Sequence, residues 1–377
     1  MKYIQRQLYK TLENHLFKGK ALILMGARQV GKSTLFDRIV SSRDEKMLQL
    51  NGDNPDTRTL LADANLSTLR RLVGSNKIVF IDEAQRIENV GIALKQIIDN
   101  MPDVQVLVSG SSSLDLKSEL NEPLTGRKFE YTLYPLSVGE LYDAFGLMEL
   151  RGNLEARLLY GSYPDIVSHP EDAEELLMNL SESYLYKDLL SYEGIRKPEI
   201  ISKLLTAVAL QIGSEVSYNE LAKTIGSDSK TVEKYIDLLE KCYVLFRLNA
   251  YSRNLRNELT KSKKIYFYDT GVRNAVIGNF NSLMSRTDAG ALWENYVIAE
   301  RIKANAYKRR HVKSYFWRTT AQQEIDYVEE CAGQLSAVEI KWNEKKASTK
   351  LPSSFIEAYH PAQTIVVTPS NYLDWLL

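Results

Sequence analysis

The chain has 377 residues, of which 44% are hydrophobic and 25% charged, and this composition excludes a wholly disordered protein or a fibre. Its 48 basic and 48 acidic residues cancel, so any nucleic-acid partner must meet a local basic patch rather than an overall positive charge. Two cysteines exclude a disulfide framework, and the lack of a long apolar run or signal-peptide core predicts a cytoplasmic protein without a membrane partner.

Continuous apolar runs alternate with amphipathic stretches in the first part of the chain. The runs are residues 21–25, 78–81 and 104–108. Buried parallel strands have this character, because both faces of the sheet are covered by helices. We therefore predict an α/β fold of the P-loop NTPase type, with a parallel sheet, for residues 1–137.

A phosphate-binding loop follows the first of these runs and precedes an amphipathic helix. Its residues are Gly26, Ala27, Arg28, Gln29, Val30, Gly31, Lys32, Ser33 and Thr34, which match Gly-x4-Gly-Lys-Ser. In such a loop backbone N–H groups surround phosphate oxygens, while Lys32 reaches the β- and γ-phosphates and Ser33 coordinates Mg²⁺. We therefore predict ATP and Mg²⁺ as cofactors.

Two carboxylates, Asp82 and Glu83, come directly after the second apolar run. Unpaired carboxylates are costly inside a strand, but they are expected at its carboxyl end beside a magnesium nucleotide. We predict that Asp82 holds the Mg²⁺ shell and that Glu83 polarises the attacking water. The alternative is that Asp82 caps the following helix.

Two further residues are candidates for the same site. Ser109, at the end of the third run, is predicted to contact the γ-phosphate or the attacking water, although a serine that caps a turn explains it nearly as well. Arg127 is predicted to stabilise charge on the transferring phosphoryl group, in its own subunit or in a neighbour. An arginine with only a surface role is an equal alternative.

The middle of the chain is predicted to be mainly helical, with a helical lid or linker at 138–196. Within 197–284, a capping-box pattern at Ser217 and Glu220 and a glycine turn precede a second amphipathic helix, in the spacing of a helix-turn-helix. Lys230, Thr231 and Lys234 are predicted to face outward. A basic stretch follows, comprising Arg253, Arg256, Lys261, Lys263 and Lys264. A winged helix that contacts DNA and one that only packs against protein remain equal alternatives.

The last segment, 285–377, is predicted to be a small α/β domain. Asp326 precedes Glu339 and Lys341 by a spacing that resembles the PD-(D/E)xK nucleases, and Glu294 lies on the helix before them. Three carboxylates could hold a divalent metal while Lys341 orients a water. Alternating charges on an exposed strand are the alternative, and whether such a domain cleaves DNA stays open.

These motifs together resemble a bacterial and archaeal family of AAA-type ATPases with a C-terminal domain of unknown function. The resemblance extends over nearly the whole chain and includes segments 26–34, 80–85, 109–113, 124–127, 134–137, 161–164, 266–271 and 293–295. It implies an ATP-dependent machine with a winged-helix middle and a domain similar to the PD-(D/E)xK nucleases. AAA-type relatives often form rings, which implies a homo-oligomer in which Arg127 reaches a neighbour's nucleotide.

Three functions remain as hypotheses from the sequence. The first is an ATPase that couples hydrolysis of Mg-ATP to work on DNA or a DNA-bound partner. The second is a nucleotide-gated switch or scaffold that binds a protein partner. The third is a metal-dependent nuclease regulated by ATP, at Asp326, Glu339 and Lys341.

Overall fold

The structure is a computed structural model that describes residues 3–111, 120, 123–190, 198–252, 263–344 and 351–377, apart from the side chains of 183–190 and 198. These residues form two compact units. The N-terminal unit comprises Gln5–Pro135 together with Lys241–Tyr243. The C-terminal unit comprises Leu136–Glu240 and Val244–Leu377, together with the extreme N-terminus.

The N-terminal unit is built on a five-stranded parallel sheet. Its strands are β1 (Ala21–Met25), β2 (Met47–Asn51), β3 (Ile78–Asp82), β4 (Gln105–Gly110) and β5 (Lys128–Thr132). The spatial order is β2-β3-β4-β1-β5, and every neighbouring pair is parallel. This sheet confirms the predicted α/β fold of the P-loop NTPase type. It also sets β4 between the strands that carry the phosphate-binding loop and the two carboxylates.

Helices surround this sheet and supply its core. They are α1 (Leu8–Glu13), α2 (Lys32–Ser41), α3 (Pro55–Ala62), α4 (Leu66–Val73) and α5 (Val90–Asn100). The side chains of Asn54 and Asn65 accept hydrogen bonds from the first turns of α3 and α4, and these bonds fix where the two helices begin. All five residues of β1 are buried, as expected for a strand covered on both faces.

The C-terminal unit begins with a group of helices. They are α6 (Val138–Gly152), α7 (Leu154–Tyr160), α8 (Pro164–Ser168), α9 (Ala173–Leu190), α10 (Pro198–Leu210), α11 (Tyr218–Ile225), α12 (Ser229–Lys241) and α13 (Thr270–Ile277). A full capping box between Ser137 and Glu140 begins α6. Ser217 accepts a hydrogen bond from the backbone N–H of Glu220 at the start of α11, which is the N-cap half of the capping box predicted there.

The remaining strands form one seven-stranded mixed sheet. They are β6 (Glu215–Val216), β7 (Leu245–Ala250), β8 (Lys263–Phe267), β9 (Val312–Arg318), β10 (Glu324–Cys331), β11 (Gln334–Ile340) and β12 (Gln363–Val367). Their order is β12-β11-β10-β9-β7-β8-β6. Because β7 pairs in parallel with β9, the strands that follow α12 continue into the sheet of the C-terminal segment. The division of this unit at residue 285 stays a prediction.

The C-terminal segment follows the order α-β-β-β-α-β-α. Its helices are α14 (Ala289–Tyr307), α15 (Ser353–Tyr359) and α16 (Tyr372–Leu376). β9, β10 and β11 are antiparallel neighbours, and β12 is parallel to β11. A buried cluster around Trp317, Ile325 and Phe355 fills the core on one face of this sheet. No helix in the described part of the chain is long and apolar enough to cross a membrane.

Candidate active site

The phosphate-binding loop lies between the carboxyl end of β1 and the start of α2. Gly31 has φ +91°, and this left-handed backbone region favours glycine. Gly26 has φ +149°, and a Cβ there would lie 2.0 Å from the carbonyl oxygen of Leu133. Both glycines of the motif are therefore required. Gly31 is required by its backbone conformation, and Gly26 also by its close approach to the backbone of Leu133.

Lys32 is 5% exposed and already points into the loop. Its Nζ donates hydrogen bonds to the carbonyl oxygens of Gly26, at 2.9 Å, and Ala27, at 2.7 Å. These are neutral acceptors, so phosphate oxygens can replace them with a gain in electrostatic attraction. The two bonds hold the ammonium group within the loop.

Arg6 is a residue of this site that sequence reasoning missed. Its guanidinium is buried, and it donates to the carbonyl oxygen of Val30 at 2.5 Å and to that of Tyr134 at 2.6 Å. These bonds connect the phosphate-binding loop to the segment that follows β5. No motif contains Arg6, and its distance of 24 residues from Val30 hides the contact from any local pattern.

Ser33 and Asp82 meet at the carboxyl ends of β1 and β3. Ser33 Oγ donates to Asp82 Oδ2 at 2.8 Å, and Ser109 Oγ, from the end of β4, donates to Asp82 Oδ1. Mg²⁺ prefers oxygen ligands of this kind and commonly takes one or two from protein side chains. The donor set of Ser33 and Asp82 thus fits Mg²⁺. Ser109 contacts Asp82, and its predicted contact with phosphate or water stays a prediction.

Glu83 follows Asp82 in an unusual backbone conformation, with φ 50° and ψ 43°. Left-handed φ is uncommon for glutamate and is found often at functional sites. Its carboxylate Oε2 accepts hydrogen bonds from Ser111 Oγ at 2.8 Å and Gln85 Nε2 at 2.5 Å. The turn directs the Glu83 carboxylate toward Ser111, at the end of β4. Ser111 and Gln85 together fix its orientation.

The environment keeps Glu83 ionised. Burial alone raises the pKa of Glu83, but the charge of Lys32 and the hydrogen bonds from Ser111 and Gln85 outweigh it. Arg28, in the phosphate-binding loop, adds to this effect. The net pKa of Glu83 lies below the ordinary value, so the carboxylate can accept a proton at neutral pH.

Gln85 is a second residue that the sequence did not single out as functional. Its Nε2 donates to Glu83 and also to Ser111 Oγ at 2.9 Å, so it orients both side chains. Its Oε1 is buried and, within the described residues, has no hydrogen-bond partner. The carboxylate of Glu83 fixes this amide orientation, because reversing it would place two acceptors against each other. The signal in the sequence is a glutamine two residues after the predicted base.

Arg127 lies at the other edge of the sheet. Its carbonyl oxygen accepts from Ala21 N at 2.9 Å, at the start of β1, whereas the phosphate-binding loop begins at the end of β1. Five strand residues separate the two edges by roughly 13–16 Å. The guanidinium pairs with Asp99 at 2.6 Å and is partly exposed. In this conformation Arg127 is therefore absent from the phosphate site of its own subunit, and its action on a neighbour stays a prediction.

The C-terminal unit brings Asp326, Glu339 and Lys341 together. Lys341 Nζ lies 3.0 Å from Asp326 Oδ2 and 2.5 Å from Glu339 Oε2. Burial, followed by the charge of Asp326, raises the pKa of Glu339 to about 7. The three residues are thus clustered at the ends of β10 and β11 as the spacing predicted. Their carboxylates are bonded to a lysine.

Glu294 joins this cluster from α14, and a second lysine satisfies it. Lys264 is 1% exposed, and its Nζ lies 3.1 Å from Glu294 Oε1 and 2.5 Å from Glu324 Oε1. Tyr266 OH also donates to Glu294, at 2.5 Å. Burial raises the pKa of Glu294 to about 7; the charge of Lys264 lowers it, and that of Asp326 raises it. We call Lys264, Glu294, Glu324, Asp326, Glu339 and Lys341 the lysine–carboxylate cluster.

This cluster does not fit a bound metal ion in the described structure. No group of three or more His, Cys, Asp or Glu side chains among the described residues is arranged to hold one. Lys264 and Lys341 fill the positions between the carboxylates instead. The predicted metal-binding role of Glu294, Asp326 and Glu339 therefore has no support in their geometry.

The sheet order, the loop and the Ser33–Asp82 contact define the N-terminal unit as a P-loop domain of the ATPase type. Comparison with protein families agrees: residues 18–142 match the model described as an AAA domain. Residues 151–283 and 289–376 match two domains of unknown function, DUF8612 and DUF4143 respectively. The chain therefore carries an AAA domain followed by a DUF4143 C-terminal domain, as the resemblance implied. The likeness to PD-(D/E)xK nucleases stays a prediction.

Similar proteins occur in bacteria and archaea. An uncharacterized protein of Mycobacterium tuberculosis is 28% identical over 374 residues, covering 98% of this chain and 80% of the relative. One from Haemophilus influenzae is 25% identical over 68% of this chain and 69% of its own length. One from Methanocaldococcus jannaschii is 22% identical over 78% of this chain and 70% of its own length.

Solved structures are more distant. The Pif1 helicase of Candida albicans is 14% identical, with a TM-score of 0.27 and coverage of 48% of both chains. A signal-transduction ATPase with a tetratricopeptide-repeat sensor, from Pyrococcus horikoshii, is 12% identical, with a TM-score of 0.30 and coverage of 78% of this chain and 45% of its own. This chain spans about half the length of either. Scores this low do not define a shared overall architecture.

Proposed function

We propose that this chain binds Mg-ATP at the phosphate-binding loop and hydrolyses it. The observation that carries the proposal is the meeting of Lys32, Ser33, Asp82 and Glu83 at one edge of the parallel sheet. Each side chain has contacts that suit its role. Lys32 bonds to carbonyl oxygens of the loop, Ser33 donates to Asp82, and the surroundings of Glu83 keep it ionised.

Each of these residues has its own role in the proposed hydrolysis. Lys32 binds the β- and γ-phosphates in exchange for its two loop carbonyls, and Ser33 and Asp82 would hold Mg²⁺, which neutralises charge on the phosphates. Glu83 accepts a proton from the water that attacks the γ-phosphorus, and the bond to the β-γ bridging oxygen breaks to release ADP and phosphate. Ser111 and Gln85 hold Glu83 in place during this step.

Two substitutions test the assignment. Lys32→Ala should abolish ATP binding, measured by equilibrium titration with a fluorescent ATP analogue. Glu83→Gln should keep binding but lower phosphate release about 10²–10⁴-fold, the usual contribution of a general base. Wild-type turnover in Glu83→Gln would overturn the role of Glu83, and unchanged binding in Lys32→Ala would overturn the site.

We further propose that the ATP cycle changes conformation or assembly to act on DNA or a DNA-bound partner. Support comes from α11 and α12, which are joined by a short turn at Gly226 and present exposed Lys230 and Lys234. Thr231 is half-buried and bonds to Asp228. Of the basic stretch predicted to form a wing, Arg253, Arg256 and Lys261 lie outside the described residues. Lys263 is half-buried, and Lys264 is buried rather than exposed.

The partner is tested by measuring phosphate release with and without double- and single-stranded DNA, and by following the DNA on a gel. A several-fold rise in turnover would support work on DNA. Turnover that ignores DNA, together with an oligomer size that depends on ATP, would favour the alternative of a nucleotide-gated switch with a protein partner. Arg127 acts in such an assembly if its substitution lowers turnover only where subunits associate.

Cleavage of the DNA on the same gel would favour the ATP-regulated nuclease. Its residues would be Asp326, Glu339 and Lys341. The clustering of these three side chains supports that alternative, whereas their bonding to lysines argues against it. Asp326→Ala should then abolish cleavage, and cleavage that persists in this variant would remove the nuclease from consideration.

A further inference from the structure

One arginine of the C-terminal unit differs from the other buried arginines that the structure describes there. The others each pair with a carboxylate: Arg273 at 2.6 Å and Arg286 at 2.8 Å with Asp288, and Arg301 at 2.7 Å with Glu329. Arg157, on α7, is only 7% exposed, and in the described part of the chain no ion pair joins it to a carboxylate. Its Nη1 is buried without a hydrogen-bond partner there.

An arginine in this state destabilises the fold. Removing a cation from water is unfavourable unless an anion or good hydrogen bonds compensate it. Burial lowers the pKa of Arg157, and the more distant charges of Asp269 and the hydroxyl of Tyr296 offset this only in part. The guanidinium therefore retains an unused capacity to bind an anion.

Arg157 lines a cavity, and the other walls indicate what that anion carries with it. The cavity has a volume of about 190 Å³ and is bounded by α6, α7, α8 and the residues next to them. Leu141, Phe145 and Val167 supply apolar surface, and Glu149 supplies a carboxylate. An apolar cavity of about 150 Å³ accommodates benzene, so this one accepts a ligand of roughly six to ten non-hydrogen atoms.

We propose that this cavity binds a small organic monocarboxylate. The carboxylate pairs with Arg157, whose planar guanidinium suits two parallel hydrogen bonds, and the apolar body packs on Leu141, Phe145 and Val167. Inorganic phosphate would leave the apolar walls uncovered, and Glu149 repels a second negative charge. The site lies in the C-terminal unit and is independent of the proposed ATPase reaction.

Isothermal titration of the full chain with isovalerate tests the proposal, with isovaleramide and inorganic phosphate as matched ligands. Isovalerate should bind, whereas the amide, which lacks the charge, and phosphate, which lacks the apolar body, should bind at least about tenfold more weakly. Lys32→Ala, which disables the phosphate-binding loop, should bind isovalerate like the wild type, so failure of the ATPase proposal would not affect this one.

Two variants separate a ligand site from a structural arginine. Arg157→Met keeps the apolar stem and removes the charge, so it should abolish isovalerate binding while the ligand-free protein melts at the same or a higher temperature. Val167→Phe leaves Arg157 intact and fills the cavity, and it should also abolish binding. No heat from isovalerate with wild type, equal binding of the amide, or binding retained in Val167→Phe would overturn the proposal. A lower melting temperature in Arg157→Met would indicate a structural role instead.

Discussion

Two groups of carboxylates in this chain differ in the charge of their hydrogen-bond partners. In the N-terminal unit, Asp82 and Glu83 accept hydrogen bonds from neutral hydroxyl and amide groups, and Lys32 bonds to backbone carbonyls. In the lysine–carboxylate cluster of the C-terminal unit, Glu294 and Asp326 bond directly to Lys264 and Lys341.

This difference separates a site that can exchange its contacts from one that is internally neutralised. The charge of Lys32 and the neutral hydrogen-bond donors Ser111 and Gln85 together hold Glu83 ionised, with its pKa lowered. In the cluster the lysines compensate the carboxylates, and the pKa of Glu294 and of Glu339 is still raised to about 7 by burial. The acid pair Asp82–Glu83 and the Glu339-x-Lys341 motif were both predicted to lie at metal sites. Their surroundings thus give them different capacities for a metal ion.

The largest effect is expected at Lys264. Lys264→Met keeps the length of the side chain and leaves Glu294 buried without its cation. Breaking such a pair costs about 3–5 kcal/mol. The C-terminal unit should unfold at clearly lower urea concentration. Lys313→Met is the control, because Lys313 is exposed and its ion pair with Glu330 is long, at 3.9 Å. This variant should unfold like the wild type. A wild-type midpoint in Lys264→Met would remove the cluster as a stabilising feature.

The raised pKa values predict a pH dependence of the same cluster. Glu294 and Glu339 bind a proton more tightly in the folded chain, with pKa about 7, than at the ordinary 4.5, so unfolding releases protons between these values. Their contribution to stability is therefore present below about pH 4.5 and is lost as the pH rises to about 7. Thermal unfolding should show a smaller fall in Tm from pH 5 to 7.5 for Glu294→Gln than for wild type.

Glu330→Gln is the control for that comparison, because Glu330 is partly exposed on β10 and outside the cluster. Its Tm should follow the wild-type pH dependence. If Glu294→Gln also follows it, Glu294 does not titrate near neutral pH, and the contrast between the two groups of carboxylates loses one of its two supports.

A smaller effect is expected at Gln85 in the N-terminal unit. Gln85→Leu removes a hydrogen bond to the ionised form of Glu83, so the pKa of Glu83 should rise and the acid limb of the pH profile of kcat should move to higher pH. We expect kcat at neutral pH to fall about tenfold with KM unchanged, as for the loss of one positioning contact.

Gln49→Leu, at an exposed position of β2, provides the matched control and should leave kcat and its pH profile unchanged. A Gln85→Leu enzyme whose kcat falls without a shift of the acid limb would show that Gln85 acts on the fold and not on the proton affinity of Glu83.

The sequence predicted the parts of this molecule that are local. The strands near 21–25 and 78–81, the loop between β1 and α2, and the carboxylates at the end of β3 all follow from adjacent residues. β2 and β5 were not predicted, because their half-buried, mixed sequences lack the continuous apolar pattern of the central strands.

What the sequence could not show depends on distant contacts. Arg6 reaches Val30 and Tyr134, and Lys264 reaches Glu294 across 30 residues. The sequence places Lys264 in a basic stretch of a possible DNA-contacting winged helix, yet its side chain is buried among carboxylates. Whether a charge faces solvent or a partner is decided by tertiary pairing, and no spacing rule contains that information.

The smallest effect is expected at Arg127, which is compared here with Lys32 of the phosphate-binding loop. Because Arg127 lies at the edge of the sheet opposite the phosphate-binding loop, Arg127→Ala should leave the affinity for an ATP analogue within about twofold of wild type. Lys32→Ala, assayed in parallel, should lose that affinity. Weakened binding in Arg127→Ala at concentrations where the chain is monomeric would mean that the arginine reaches its own nucleotide after a rearrangement. Binding that weakens only where subunits associate would instead place Arg127 at a neighbour's nucleotide.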